Sequence, residues 1–186
     1  MSILEAVTRR RSQPRVTADA PSHAELLPLV AAAASVADHG SLRPWRLIEL
    51  RGDARARLGV AFTEASGADA KDAAKLADKP LRASLLIAVV ASFQPSHKVA
   101  DWEQEVAASG VAHTLSLLLD EAGWGVMWRS GHLTRSLPVR VMHGLADTEQ
   151  HPLAAGTRDA RSRRHRATAR LALCRRSRRR RESWRT

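Results

Sequence analysis

At 186 residues the chain fits one domain with a sizeable core, and its formal net charge is +11. Residues 1–150 carry 17 basic and 17 acidic side chains, while residues 151–186 carry 13 Arg, no Lys and two acids, so all of the excess lies in the last fifth of the chain. A neutral body argues against a nucleic-acid or membrane surface as its main partner, and the single cysteine, Cys174, excludes an intrachain disulfide framework or a cysteine metal site.

In chain order, Ser2-Ile3-Leu4-Glu5 is a capping-box pattern that opens a short helix ending near Arg10. The polar, basic first residues are unlike a secretory leader, which points to a cytoplasmic protein. Ser22-His23-Ala24-Glu25 is a second capping box, opening an apolar helix through Ala34 in which Pro28 should bend or loosen the turn. Residues 46–51 alternate apolar and polar side chains and predict a strand, with Gly52-Asp53 starting a helix toward Ser66. Residues 67–79 are small and charged, an exposed helix or a mobile segment.

The run LLIAVVASF at residues 85–93 is β-prone and apolar throughout, which predicts a strand buried on both faces. It and residues 26–34 are the longest apolar stretches, and both are too short to span a bilayer. Residues 101–122 have helical spacing, with Val106, Val111, Leu115, Leu118, Leu119 and Ala122 on an apolar face, Gly110 allowing close helix approach and Gly123 as the stop. A strand at residues 125–129 and a short helix opened by Ser136 and Pro138 and closed by Gly144 complete the pattern. Strands interleaved with helices indicate an α+β or mixed α/β domain.

Three separated segments carry the candidate chemistry: Arg10-Arg11-Ser12, Asp38-His39-Gly40-Ser41-Leu42-Arg43-Pro44-Trp45, and Trp128-Arg129-Ser130-Gly131. Guanidinium forks suit a phosphate, while hydroxyls and an imidazole suit a polyol. Each segment alone has a plainer reading: a basic helix end complementing the helix dipole, a loop histidine capping a backbone group, and a packing or cation–π pair. His97 and His113 lack metal-ligand spacing with the carboxylates, so no metal site is expected, and no Gly-x-Ser-x-Gly elbow supports a hydrolase. Ala122-Gly123-Trp124-Gly125 follows a helix rather than a strand, so it is not a dinucleotide fingerprint.

Taken together, the order and spacing of these segments, from about residue 4 to about residue 150, resemble the nitroreductase family of flavin mononucleotide (FMN) enzymes, and most closely its YdjA-like branch of NAD(P)H nitroreductases. The stretch from His97 to Glu105 also resembles that branch, although its acids and Trp102 are read here as caps and anchors of the following helix.

The resemblance implies an α+β nitroreductase-like fold, a central mixed sheet flanked by helices, with FMN at a homodimer interface. It assigns cofactor binding to Arg10, Arg11, Ser12, His39, Ser41, Arg43, Trp128, Arg129 and Ser130, and more weakly to Ser35, which stands where a related chain has an Arg ligand. Leu118, Leu119, Asp120, Glu121, Ala122 and Gly123 would border the nicotinamide of NADH or NADPH. Arg43 departs from the family, where Gln is frequent, and its role stays open. The implied reaction passes electrons from NAD(P)H to a small-molecule acceptor such as a nitro-aromatic or quinone. The flavin would carry the chemistry, with no separate catalytic acid or base.

After Gln150 the pattern of alternation stops, and residues 151–186 are rich in Arg and Ala. The family would continue into another apolar strand, whereas this chain offers Leu153-Ala154-Ala155-Gly156-Thr157-Arg158. An Arg- and Ala-rich run without Lys is what a GC-rich gene yields when read out of frame, and the sequence favours that origin over a functional tail. A basic tail could also bind nucleic acid nonspecifically, but Trp184 is its only aromatic, which argues against base stacking. A frame-disrupted, inactive family member is the third reading.

Overall fold

The computed structural model describes residues 2–14 and 17–151 and the backbone of residues 154–157. The elements in chain order are α1 (Ile3–Arg9), α2 (His23–Ala33), β1 (Trp45–Leu50), α3 (Asp53–Ser66), α4 (Ala70–Asp78), β2 (Leu85–Ser92), α5 (Asp101–Glu121), β3 (Val126–Arg129), α6 (Leu137–Met142), β4 (Glu149–Gln150) and β5 (Ala154–Thr157). Both capping boxes form. The Ser2 hydroxyl accepts from Glu5 N–H while the Glu5 carboxylate accepts from Ser2 N–H, and Ser22 and Glu25 repeat the arrangement. Pro28 sits inside α2, which nevertheless continues unbroken to Ala33.

The apolar run at β2 builds the centre of the sheet. β1 pairs with one edge of β2, and β4 and then β5 pair with the other, giving the order β1-β2-β5-β3 with β4 beside β2. Every named strand pair is antiparallel, which corrects the mixed sheet expected from sequence. Ser12 adds an isolated parallel bridge to Val126. The physical reason is that the chain returns to β2 along its open edge after α6 and then continues into β5, so that each new strand runs against its neighbour.

Alternate side chains of β2 serve two cores. Leu85 and Ile87 join Leu26, Ala33, Val111, Leu115, Leu119, Trp124 and Val126 under α2 and α5. Leu86 packs with Leu50, Leu58, Ala61 and Val139 under α3 and α6. In α5 the buried stripe runs through Gln104, Ala107, Ala108, Val111, Ala112, Leu115, Ser116 and Leu119, the spacing of one helix face. Val106 lies off that stripe and is 61% exposed, and Ala122 is exposed just past the helix end, so the expectation that placed both on the core face is corrected.

Residues 67–79 contain α4, a largely exposed helix, the first of the two forms expected from sequence, with one side laid on α3. It lies so close to α3 that a Cβ on Gly59 would stand 2.3 Å from the Ala77 carbonyl oxygen. β5 falls in the region where the sequence offers no strand pattern. It occupies the slot between β2 and β3, with Ala154 level with Ala88 and Arg129, and Gly156 level with Leu86 and Met127. The rest of the Arg-rich segment lies outside the described residues. No described helix is long and apolar enough to cross a membrane.

Candidate functional site

The first candidate segment leaves the C-terminus of α1 and is tied to the edge of the sheet. Ser12 bridges Val126, and Gln13 N–H donates to the Val126 carbonyl at 3.0 Å. One residue before the segment, Arg9 grips the C-terminal end of α5, bonding the Asp120 carboxylate at 3.0 Å and its carbonyl at 3.1 Å. The two arginines that follow are not equivalent. Arg11 folds back onto the carbonyls of Thr8 and Arg10, at 2.7 and 2.8 Å, the plain helix-end role. The Arg10 guanidinium has no partner among the described residues.

The second segment is a tight loop between α2 and β1 with an unusual backbone. Gly40, Ser41 and Arg43 have φ of 76°, 50° and 47°, and the two non-glycine residues adopt a conformation that L side chains avoid. Hydrogen bonds hold it there: the Asp38 carboxylate accepts the Arg43 N–H at 2.7 Å, and the Asp38 carbonyl accepts the Ser41 N–H at 3.0 Å. Local strain of this kind persists only where the surroundings over-determine the fold, and it concentrates at ligand sites. His39, more than half exposed, lies 2.9 Å through Nδ1 from a Glu103 carboxylate oxygen at the N-terminal end of α5. The Ser35 hydroxyl is turned back onto the Ala32 carbonyl at 2.8 Å.

The third segment closes β3. Trp128 is half-buried and meets the His113 ring edge-on at 6.5 Å, while Arg129 and Ser130 are exposed at the strand end. Arg129 and Ser130 also form part of the rim of a cleft of about 400 Å³, walled by apolar side chains including Leu50, Phe62, Leu76 and Val139. At its inner end the buried His151 donates from Nδ1 to the Val89 carbonyl at 2.9 Å, and its Nε2 lies 2.8 Å from Nδ1 of His143. Burial holds His143 down at about 4, and His151 is likewise lowered, mainly by burial.

The structure brings the first and third segments together and sets the second apart. Ser12 and Arg129 are separated by the length of β3, about 10 Å at the usual strand rise. The His39 loop enters β1 at the opposite edge of the sheet, and β2 and β5 intervene, roughly 14 Å of sheet. α5 gives a second measure: Glu103 touches His39 and Asp120 touches Arg9, and 17 residues of helix between them span about 26 Å.

Among the proposed nicotinamide-bordering residues, Leu119 is 1% exposed in the core and Asp120 is occupied by Arg9, whereas Glu121, Ala122 and Gly123 are exposed. Glu103 is the residue that sequence reasoning missed as part of this set. It was legible as a helix cap, since its carboxylate accepts the Ala100 N–H at 3.2 Å, but its second oxygen reaches a histidine 64 positions away, a contact no local pattern encodes. Among the described residues no group of three or more His, Cys, Asp and Glu is arranged to hold a metal.

Chemically, the arrangement presents side chains that are not spent on the protein itself. Among the described residues the hydroxyls of Ser12, Ser41 and Ser130 and the guanidinia of Arg10, Arg43 and Arg129 make no side-chain hydrogen bond. Such unpaired donors and acceptors suit the phosphate and polyol of a flavin nucleotide.

Comparison with known proteins places this site in context. The model of the nitroreductase family matches residues 7–157, so the match includes β5. "Putative NAD(P)H nitroreductase YdjA" of Escherichia coli (strain K12) is 34% identical over 153 residues, covering 81% of this chain and 84% of that protein. Among solved structures, a nitroreductase-like family protein from Bacillus cereus superposes with a TM-score of 0.77 at 24% identity, over 86% of each chain. The FMN and NADPH-dependent nitroreductase NfnB from sphigopyxis sp. strain HMH superposes with a TM-score of 0.66 at 18% identity, over 87% of this chain and 90% of that one. At these identities the two structures establish the fold.

Proposed function

The chain belongs to the nitroreductase family, and from that premise we propose that it is an FMN-dependent oxidoreductase that passes electrons from NADH or NADPH to a nitro-aromatic, quinone or similar small acceptor. The observation that carries the reading is the split site: Arg10, Ser12, Arg129 and Ser130 share one edge of the sheet, and His39, Ser41 and Arg43 lie at the other. The two groups lie about 26 Å apart along α5, a separation that favours closing the site between two chains. A two-fold dimer with antiparallel α5 helices would bring the His39 loop of one subunit to the Arg10 edge of its partner, completing two equivalent sites. Exposed apolar side chains on α1 (Ile3, Leu4, Val7) and on α5 (Trp102, Val106) support such a buried contact.

In this reading Arg10, joined by Arg11 if it leaves its helix carbonyls, holds the phosphate, and Ser12, His39 and Ser41 hold the polyol or ring edge. Trp128, Arg129 and Ser130 close the site, and Arg43 adds positive charge beside it. The nicotinamide would approach along the exposed end of α5 at Glu121, Ala122 and Gly123. Bound flavin supplies the hydride acceptance and its onward delivery, and the protein supplies orientation, charge and exclusion of water.

The test is to purify the full chain and measure bound flavin by its visible absorbance, with and without the paired changes Arg10→Ala and Arg11→Ala. The expected result is a yellow protein that loses its flavin in the double variant. Undiminished FMN in that variant, or a monomer by light scattering that still holds one flavin per chain, would overturn the assignment.

A further inference from the structure

We propose that Glu103 is a positioning residue: its carboxylate fixes His39 as the Nδ1–H tautomer and leaves Nε2 as a hydrogen-bond acceptor for a ligand hydroxyl. The inference rests on the flavin reading for the identity of the ligand, and on geometry alone for the tautomer. Glu103 Oε2 lies 2.9 Å from His39 Nδ1, while Oε1 accepts the Ala100 N–H at 3.2 Å. The carboxylate is therefore held at both oxygens in the first turn of the longest helix, a rigid base for orienting a side chain on a loop. The bond from His39, followed by that from Ala100, holds the Glu103 carboxyl below the usual range, so the group is ionised near neutrality.

An ionised carboxylate can only accept, so the proton must sit on Nδ1. The main chain of His39 is fixed independently, by the Asp38 to Arg43 bond and by Gly40, where a Cβ would stand 3.4 Å from Val99 Cγ2. With both ends set, Nε2 is the free ring atom, and the side-chain exposures of 59% for His39 and 28% for Glu103 place the imidazole outermost. A polyol hydroxyl donating to that nitrogen would meet a ring whose orientation is already set by Glu103. The same logic makes carboxylate partners of ligating histidines worth about 10- to 100-fold in affinity at metal sites.

Two readouts on the full-length chain decide the matter. Nitrogen-15 NMR of the flavin-free protein at pH 8 should show His39 as the Nδ1–H tautomer, shifting toward Nε2–H in Glu103→Ala; a wild-type His39 in the Nε2–H form would overturn the proposal. FMN titration, followed by quenching of flavin fluorescence, should weaken about tenfold in Glu103→Ala and less than about threefold in Glu103→Gln, which keeps an oxygen acceptor and the helix cap. In a His39→Ala background the Glu103→Ala change should have no further effect. An equal loss in that background would mean that Glu103 acts through the helix, and the proposal would fall. If wild-type protein binds no FMN, the flavin reading fails, and the NMR result still decides whether Glu103 sets the histidine.

Discussion

Nδ1 of His143 lies 2.8 Å from Nε2 of His151, and the buried His151 donates from its own Nδ1 to the carbonyl of Val89. The protons follow from that chain. His151 Nε2 must accept, so His143 Nδ1 must donate, and both rings are neutral. His143 Nε2 is then a buried acceptor with no partner among the described residues.

This pair predicts a pH dependence of stability. His143 is lowered to about 4 from 6.5, chiefly by burial, and His151 is lowered in the same direction. Between those values the unfolded chain binds a proton that the native state refuses, so stability is full above about 6.5 and falls as the pH drops toward 4. By pH 5 the loss from His143 should be on the order of 2 kcal/mol. Melting curves at pH 7.5 and pH 5 check this. His143→Leu should be less stable at pH 7.5, because His151 loses its donor, yet should show a smaller drop on going to pH 5.

Arg10 and Arg11 should differ in their effect on flavin retention. Arg11 already serves the carbonyls of Thr8 and Arg10, whereas Arg10 has no partner among the described residues. A charge-assisted bond to phosphate is worth about 1.5–3 kcal/mol, so Arg10→Ala should weaken FMN binding roughly 10- to 100-fold and Arg11→Ala by less. Isothermal titration of each single variant gives the ranking. The reverse order would mean that Arg11 leaves its helix end when the ligand binds.

Local chemistry made much of this fold legible. Ser2 and Ser22 with their glutamates opened helices where the pattern places them, and the unbroken apolar run of β2 marked the central strand. The candidate segments stood out because their residue types recur in a known order, but nothing local told that the His39 loop and Arg10 lie at opposite ends of α5. That separation follows from strand order, which depends on contacts distant in sequence. β5 was hidden for a different reason. Ala154, Ala155 and Gly156 have low strand propensity, and the open edges of β2 and β3 supply the pairing that their side chains do not encode.

Two truncations separate the sequence expectation from the structure. Read from its pattern alone, everything after Gln150 is dispensable, so cutting after Gln150 or after Thr157 should give the same protein. The pairing says otherwise. β5 joins β2 to β3 along four residues on each side, and removing it would open the edge of β2 at Leu85 and Ile87 and strip Val126 of its neighbour. Each of those side chains contributes about 1.5–3 kcal/mol when fully buried, against a total stability of roughly 5–15 kcal/mol. The 13 guanidinia, by contrast, all lie beyond residue 157, and their mutual repulsion gives that segment little to add to a core. Thermal melting and flavin content should therefore change little when the chain is cut after Thr157 and fall sharply when it is cut after Gln150. Equal behaviour of the two cuts would show that β5 contributes nothing to the sheet, and a sharp loss on cutting after Thr157 would show that the Arg-rich segment is itself a structural or cofactor-binding element.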